Sequence, residues 1–151
     1  MDLIFWRHAQ AEDRAGARDD NERKLTAKGR KDAARMAKWL KQHLPEGCAI
    51  LASPARRAQE TAAALAADFR TSKTIGTGAA GRDLLAAARW PRNGNAVLLV
   101  GHQPSIGRAI ALALTGREAD WEIKKGGIWW LRIVQGEEQP QVIAVLRPGM
   151  L

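Results

Sequence analysis

Two histidines and three arginines of this chain sit where short apolar runs break off into polar sequence. Leu3-Ile4-Phe5-Trp6 ends in Arg7-His8, the run 96–100 ends in Gly101-His102-Gln103-Pro104-Ser105, and the run 47–52 ends in Ser53-Pro54-Ala55-Arg56-Arg57. A neutral imidazole can attack phosphorus, and a guanidinium offers two parallel N–H donors to the oxygens of a phosphoryl group. Gathered at one place, such residues describe a site for a compact oxyanion and, with a free imidazole nitrogen, for phosphoryl transfer. Whether they meet depends on the elements that carry them.

The chain alternates strand and helix signals from end to end. Residues 2–6 read as a short buried strand, followed by a polar loop over 9–24. A helix is expected over about 26–43, because Ala33, Met36, Ala37, Leu40 and Leu44 recur at helical spacing and form one apolar stripe. Residues 47–52 read as a second strand and 53–67 as a helix, with Ser53 as its N-cap and Pro54 at its first position. A third helix is expected over 81–90, a third strand over 96–100 and a fourth helix over 104–114. Residues 127–134 and 141–146 read as two further strands, and Trp129 and Trp130 in the first of them should point to opposite faces. Gly29, three residues past Thr26, costs a helix roughly 1 kcal/mol and points to a close backbone approach.

Alternation of this kind predicts an α/β fold, a three-layer α/β/α sandwich around a mostly parallel sheet. In such sheets the carboxyl ends of the strands share one edge, where ligands bind. Arg7-His8, Arg57 and His102 are therefore expected to converge there. Helix starts at 53 and 104 would add unpaired N–H groups and partial positive charge at the same edge.

With 151 residues, 46% of them hydrophobic and 26% charged, the chain suits one soluble domain spanning residues 1–151. No apolar run approaches the roughly 20 residues of a membrane span, and residues 3–6 are too short for a signal peptide, so no membrane partner is expected. Cys48 is the only cysteine, which excludes an intrachain disulfide and suits the reducing cytoplasm. It opens a buried strand with no flanking basic motif, unlike a reactive thiol. The excess of 24 Lys and Arg over 16 Asp and Glu, a net charge of +8, favours anionic partners. The basic residues are spread over 14–41, 56–92 and 117–132 without a reading motif, so nucleic acid is not the expected partner. His8, His43 and His102 lack the paired spacing of metal ligands, and neither metal nor cofactor is expected. His43 reads as structural, in a last helical turn where the dipole favours it.

Four segments in order resemble the histidine phosphatase superfamily: RHAQAED at 7–13, ERKLTAKGR at 22–30, SPARRAQET at 53–61 and VLLVGHQPS at 97–105. More narrowly, the chain is similar to the small phosphohistidine phosphatases of the SixA type. The resemblance implies a phosphoglycerate mutase-like fold, with His8 as the nucleophile that becomes transiently phosphorylated. It implies Arg7 and Arg57 as holders of the phosphoryl oxygens, with His102 completing the pocket. Arg57, and not Arg56, precedes Ala-x-x-Thr as the family arginine does. Lys24 stands in ERKLT where relatives commonly carry Pro.

Larger, phosphomonoesterase-like members of that superfamily need a carboxylic acid to protonate an alkoxide leaving group. Here Asp83 is the only carboxylate in residues 76–90, and Glu12 and Asp13 in the first loop are the other candidates. An imidazole leaving from phosphohistidine departs as a neutral base and needs such an acid much less. The expected function is therefore a cytoplasmic, metal-independent, monomeric phosphatase of protein phosphohistidine. The alternatives are a phosphatase of a small phosphorylated metabolite, with Asp83 as its acid, and a non-catalytic phosphoprotein-binding module. Arg14, Arg18 and Arg23 lie in a polar loop whose two readings are closure over a substrate and plain surface solvation.

Overall fold

The amino-terminal apolar run is continuous because it is buried on both faces. In the computed structural model, which describes residues 1–15 and 18–151, it forms strand β1 (Asp2–Arg7) inside a six-stranded sheet. Residues 16 and 17 of the polar loop 9–24 lie outside the described residues. The other strands are β2 (Ala49–Ala52), β3 (Arg70–Thr71), β4 (Val97–Gly101), β5 (Ile128–Arg132) and β6 (Gln141–Leu146). Their spatial order is β3-β2-β4-β1-β5-β6. The first four in the chain are mutually parallel, whereas β5 runs antiparallel to β1 and β6 antiparallel to β5. The sheet is thus mixed but mostly parallel.

Helices α1 (Ala27–His43) and α2 (Arg56–Leu65) cover one face, and α3 (Gly81–Ala87) and α4 (Ser105–Thr115) the other. Alternate residues of β1 supply the two cores. Ile4 and Trp6 pack with Leu98, Met36, Leu40 and Ala62, while Leu3 and Phe5 pack with Leu99, Leu84, Ile106 and Ile110. Each of the Leu, Ile, Met and Phe side chains among them stabilises the fold by about 1.5–3 kcal/mol through removal from water. Trp130 belongs to the first core and Trp129 to the second, on opposite faces as their adjacency requires. Together these layers form the α/β/α sandwich expected from the sequence.

Several boundaries differ from the sequence reading. α2 begins at Arg56 rather than at Ser53-Pro54, because the Ser53 hydroxyl accepts the Ala55 amide (3.2 Å) and Ala55, in an extended conformation, is the N-cap. Pro104 is likewise the N-cap of α4 rather than its first residue. α3 stops at Ala87, and Arg89 adopts a positive φ of 56° just beyond it. β3, a two-residue edge strand exposed on both faces, was not anticipated.

Gly29 is where the loop after His8 crosses the start of α1. Thr26 caps that helix by accepting the Gly29 amide (3.0 Å), and its own amide donates to the Gln10 carbonyl (3.0 Å). A Cβ on Gly29 would run into that carbonyl oxygen. Gly29→Ala is therefore expected to destabilise the fold by about 1–3 kcal/mol despite alanine's better helix propensity, as checked by urea unfolding. A stabilised Gly29→Ala protein would contradict this packing.

Candidate functional site

The parallel register brings three strand ends to one edge. Arg7 pairs with Gly101 across β1 and β4, and Ala52 pairs with Val100 across β2 and β4. The next residues stay tied together, because the His8 amide donates to the Gly101 carbonyl and the Ser53 amide to the Val100 carbonyl, each at 3.0 Å. At this edge lies a cleft of about 340 Å³, lined by Arg7, His8, Asp20, Arg23, Arg57 and His102 among others. A larger hollow of about 800 Å³ opens at the opposite end of the sheet, against Met1, Asn93 and Ile133, and holds none of the strand-end residues.

His8 and His102 face each other with ring centroids 5.3 Å apart. The His8 Nδ1–H donates to the Ala9 carbonyl (2.7 Å), since a carbonyl can only accept, and this leaves the Nε2 lone pair free. His102 Nε2 meets the buried Ser53 hydroxyl at 2.7 Å. That hydroxyl oxygen also accepts the Ala55 amide, so Ser53 ties the His102 ring to the start of α2. Arg57 is 3% exposed, at the second position of α2. Its Nη1 donates to the Asp20 carbonyl (2.7 Å) and its Nη2 to the Asp20 carboxylate (2.9 Å). Arg7 Nη1 donates to the Ile123 carbonyl (2.7 Å). The Arg-Ala-x-x-Thr element ties these parts together. Thr61 Oγ1, one turn after Arg57, donates to the Arg57 carbonyl (2.7 Å) and accepts the Ala9 amide (3.1 Å) beside His8.

The remaining sequence candidates lie elsewhere. Asp83 accepts the Ala80 amide (2.9 Å) in the first turn of α3, and the structure does not bring it to the cleft. Glu12 faces Lys24 at 3.9 Å, and neither Glu12 nor Asp13 lines the cleft. Arg56 is half-exposed and pairs with Glu60 at 3.5 Å. Arg23 does reach the cleft, whereas Arg14 and Arg18 do not. The Lys24 carbonyl accepts the Glu12 amide (2.8 Å). His43 donates to the Trp39 carbonyl (2.7 Å) and stacks on that indole, a structural place. Among the described residues, no cluster of three or more His, Cys, Asp or Glu side chains is placed to hold a metal ion, and no helix is long and apolar enough to cross a membrane.

The sequence profile of the histidine phosphatase superfamily (branch 1) matches residues 3–84, and these carry the Arg7-His8 strand end and the Arg57 helix. The chain belongs to the histidine phosphatase superfamily. An uncharacterised protein of Picosynechococcus is 39% identical over 142 residues, which cover 87% of this chain and 85% of that one. In three dimensions this superfamily member is similar to the protein histidine phosphatase SixA complexed with tungstate, with a TM-score of 0.79 at 21% identity over 99% of both chains. A Nakamurella multipartitia protein assigned to the phosphohistidine phosphatases as SixA superposes with a TM-score of 0.78 at 25% identity, over 97% of this chain and 95% of that one. The fold is accordingly phosphoglycerate mutase-like.

Electrostatics suit this superfamily member to anions. Burial pushes His8 down to about 3, assisted by His102, Arg57 and Arg7 and opposed by its bond to Ala9. Burial likewise pushes His102 down to about 4, with Arg57 adding to the effect and Asp20 opposing it. Both imidazoles are neutral at pH 7. An unfolded histidine titrates near 6.5, so below that pH the unfolded chain binds protons that the folded one refuses, and stability falls with pH. Between pH 6.5 and 5.5 the two histidines together should remove about 2 kcal/mol. Urea unfolding at both pH values checks this, and a His8→Gln/His102→Gln protein should show a smaller loss; an equal loss would contradict it.

Asp20 is the functional candidate that sequence reasoning missed. Burial raises its carboxyl, but the hydrogen bond and charge of Arg57, with those of Arg23, outweigh that and hold it below the usual carboxylate range. It is one of five carboxylates in residues 12–22, and nothing in their spacing sets it apart. Ser53 was legible only as a helix cap, not as the partner of His102. Thr61 could have been found, since it lies four residues after Arg57 and so on the same helix face.

Proposed function

We propose that this superfamily member is a phosphatase of protein phosphohistidine that works through a phosphorylated His8. His8 Nε2 attacks phosphorus in line, and a new N–P bond forms as the bond to the substrate imidazole breaks. The leaving imidazole departs neutral because its other nitrogen already carries a proton. Water then adds to phosphorus, the bond to His8 breaks with its electron pair returning to Nε2, and the protons of that water leave on inorganic phosphate. Arg7 and Arg57 neutralise charge on the phosphoryl oxygens without having to reorganise, and His102 closes the pocket beside His8.

One observation carries the choice of substrate. The only carboxylate lining the cleft among the described residues is Asp20, and Arg57 keeps it ionised. An ionised carboxylate cannot protonate a leaving alkoxide, so the substrate must bring a leaving group that needs no acid. Phosphohistidine does, and an alkyl phosphate does not.

The test compares a histidine-phosphorylated protein, an aryl phosphate and a sugar phosphate as substrates for wild type and Asp83→Asn. Phosphohistidine and the aryl ester should be cleaved far faster than the sugar phosphate. Asp83→Asn should stay within about tenfold of wild type, below the 10²–10⁴-fold that a general acid contributes. Efficient, Asp83-dependent cleavage of the sugar phosphate, with phosphohistidine ignored, would replace this reading with a metabolite phosphatase.

A further inference from the structure

Among the described residues, the Arg7 side chain makes one hydrogen bond, Nη1 to the Ile123 carbonyl. The place of that guanidinium is therefore set by the segment around Ile123, which belongs to no helix or strand. The tie that joins this segment to the start of α4 is Gln103, the residue after His102. Its Nε2 donates to the Trp121 carbonyl and its Oε1 accepts the Gly107 amide in the first turn of α4, both at 2.7 Å. Gly107 lets the segment lie directly on the helix, since a Cβ there would run into the Trp121 carbonyl oxygen. The flanks of the segment are held by the Arg82 amide on Glu118 Oε1 (3.0 Å) and Trp6 Nε1 on the Gly126 carbonyl (3.1 Å), and the Ile123 side chain is buried in the second core; Arg108 Nε to Asp120 Oδ1 at 2.6 Å is solvent-exposed, where an ion pair contributes little.

We propose that Gln103 is a positioning residue for phosphoryl binding: by bridging α4 and the 121–123 segment, it sets where the Ile123 carbonyl holds Arg7. The role requires a donor and an acceptor on one planar group, which Gln supplies. Glu would keep the acceptor for Gly107 but turn a second lone-pair oxygen toward the Trp121 carbonyl. Gln103 thereby links the two sides of the cleft, because the same short stretch carries His102. The inference rests on the reading of Arg7 as a phosphoryl ligand.

The experiment is a double-mutant cycle read by calorimetric binding of inorganic phosphate and by thermal unfolding, in wild type, Gln103→Glu, Arg7→Ala and the double variant. Gln103→Glu should weaken phosphate about tenfold in the wild-type background and less than about twofold once Arg7 is gone, because coupled residues are not additive. The melting temperature should fall by the same amount in both backgrounds. Gln103→Met, similar in volume but lacking both hydrogen bonds, is run in parallel should the Glu protein not fold, and the same pattern is expected. Equal weakening in both backgrounds, or none in either, would overturn the proposal: Gln103 would then touch the anion itself or serve the fold alone. An Arg7→Ala protein that binds phosphate as wild type does would overturn the site reading and the proposal together, and that failure is distinct from the first.

Discussion

His8→Ala should lower turnover by at least about 10⁴-fold while leaving phosphate binding and the fold largely in place. The substitution removes the free Nε2 that attacks phosphorus but spares the cations around the anion. Arg57 is seated by Asp20 and Arg7 by Ile123, and neither bond passes through His8. The His8 backbone contributes independently of its ring, with its amide on Gly101 and its carbonyl accepting the Gly126 amide (3.0 Å). Because burial holds the ring neutral, its loss removes no stabilising charge from the folded state. Steady-state rates on an activated phosphoramidate, with calorimetric phosphate binding on the same protein, check both halves. Retained turnover, or lost phosphate binding with unchanged turnover, would remove His8 from the role of nucleophile.

Arg57→Ala and Arg56→Ala should differ sharply although the residues are neighbours. Arg57 is buried with its fork in the cleft, and loss of one preorganised contact to a phosphoryl oxygen costs about 2.7–4 kcal/mol of transition-state stabilisation, or 10²–10³-fold in kcat/KM. Arg57→Ala also leaves the Asp20 carboxylate with Arg23 as its one guanidinium partner inside an anion-binding cleft, which deepens the loss. Arg57→Lys keeps a charge but forfeits the two-pronged geometry and should fall between the two. Arg56 points about 100° away around α2 and makes only an exposed contact to Glu60. Its removal should change kcat/KM by less than about twofold, as an exposed i,i+4 pair is worth about 0.3–0.5 kcal/mol. Comparable losses in the two variants would mean that the helix presents a different face to the cleft.

The meeting of Arg7, His8, Arg57 and His102 was legible in the sequence because a parallel sheet has a single carboxyl edge. Each of these residues stands at a strand end or in the helix that follows one. The apolar runs 3–6 and 97–100 announce strands buried on both faces, and that alone places their ends together. β3 was not legible, since two exposed residues without apolar alternation carry no strand signal. The start of α2 was misread because Ser53-Pro54 has the composition of a helix start while the Ser53 hydroxyl serves the Ala55 amide and His102 instead. Asp20 and Gln103 take their meaning from partners 37 and 18 residues away in the chain, on Arg57 and Trp121, and no local pattern encodes such contacts.

The most direct measurement is to mix the protein with a ³²P-labelled phosphoramidate, quench within the first turnover and locate the label by peptide mapping. A phosphorylated His8, labile to acid and stable to base, should appear in wild type and be absent from His8→Ala. Label found on another residue, or a phosphoenzyme that survives the loss of His8, would contradict phosphoryl transfer through His8.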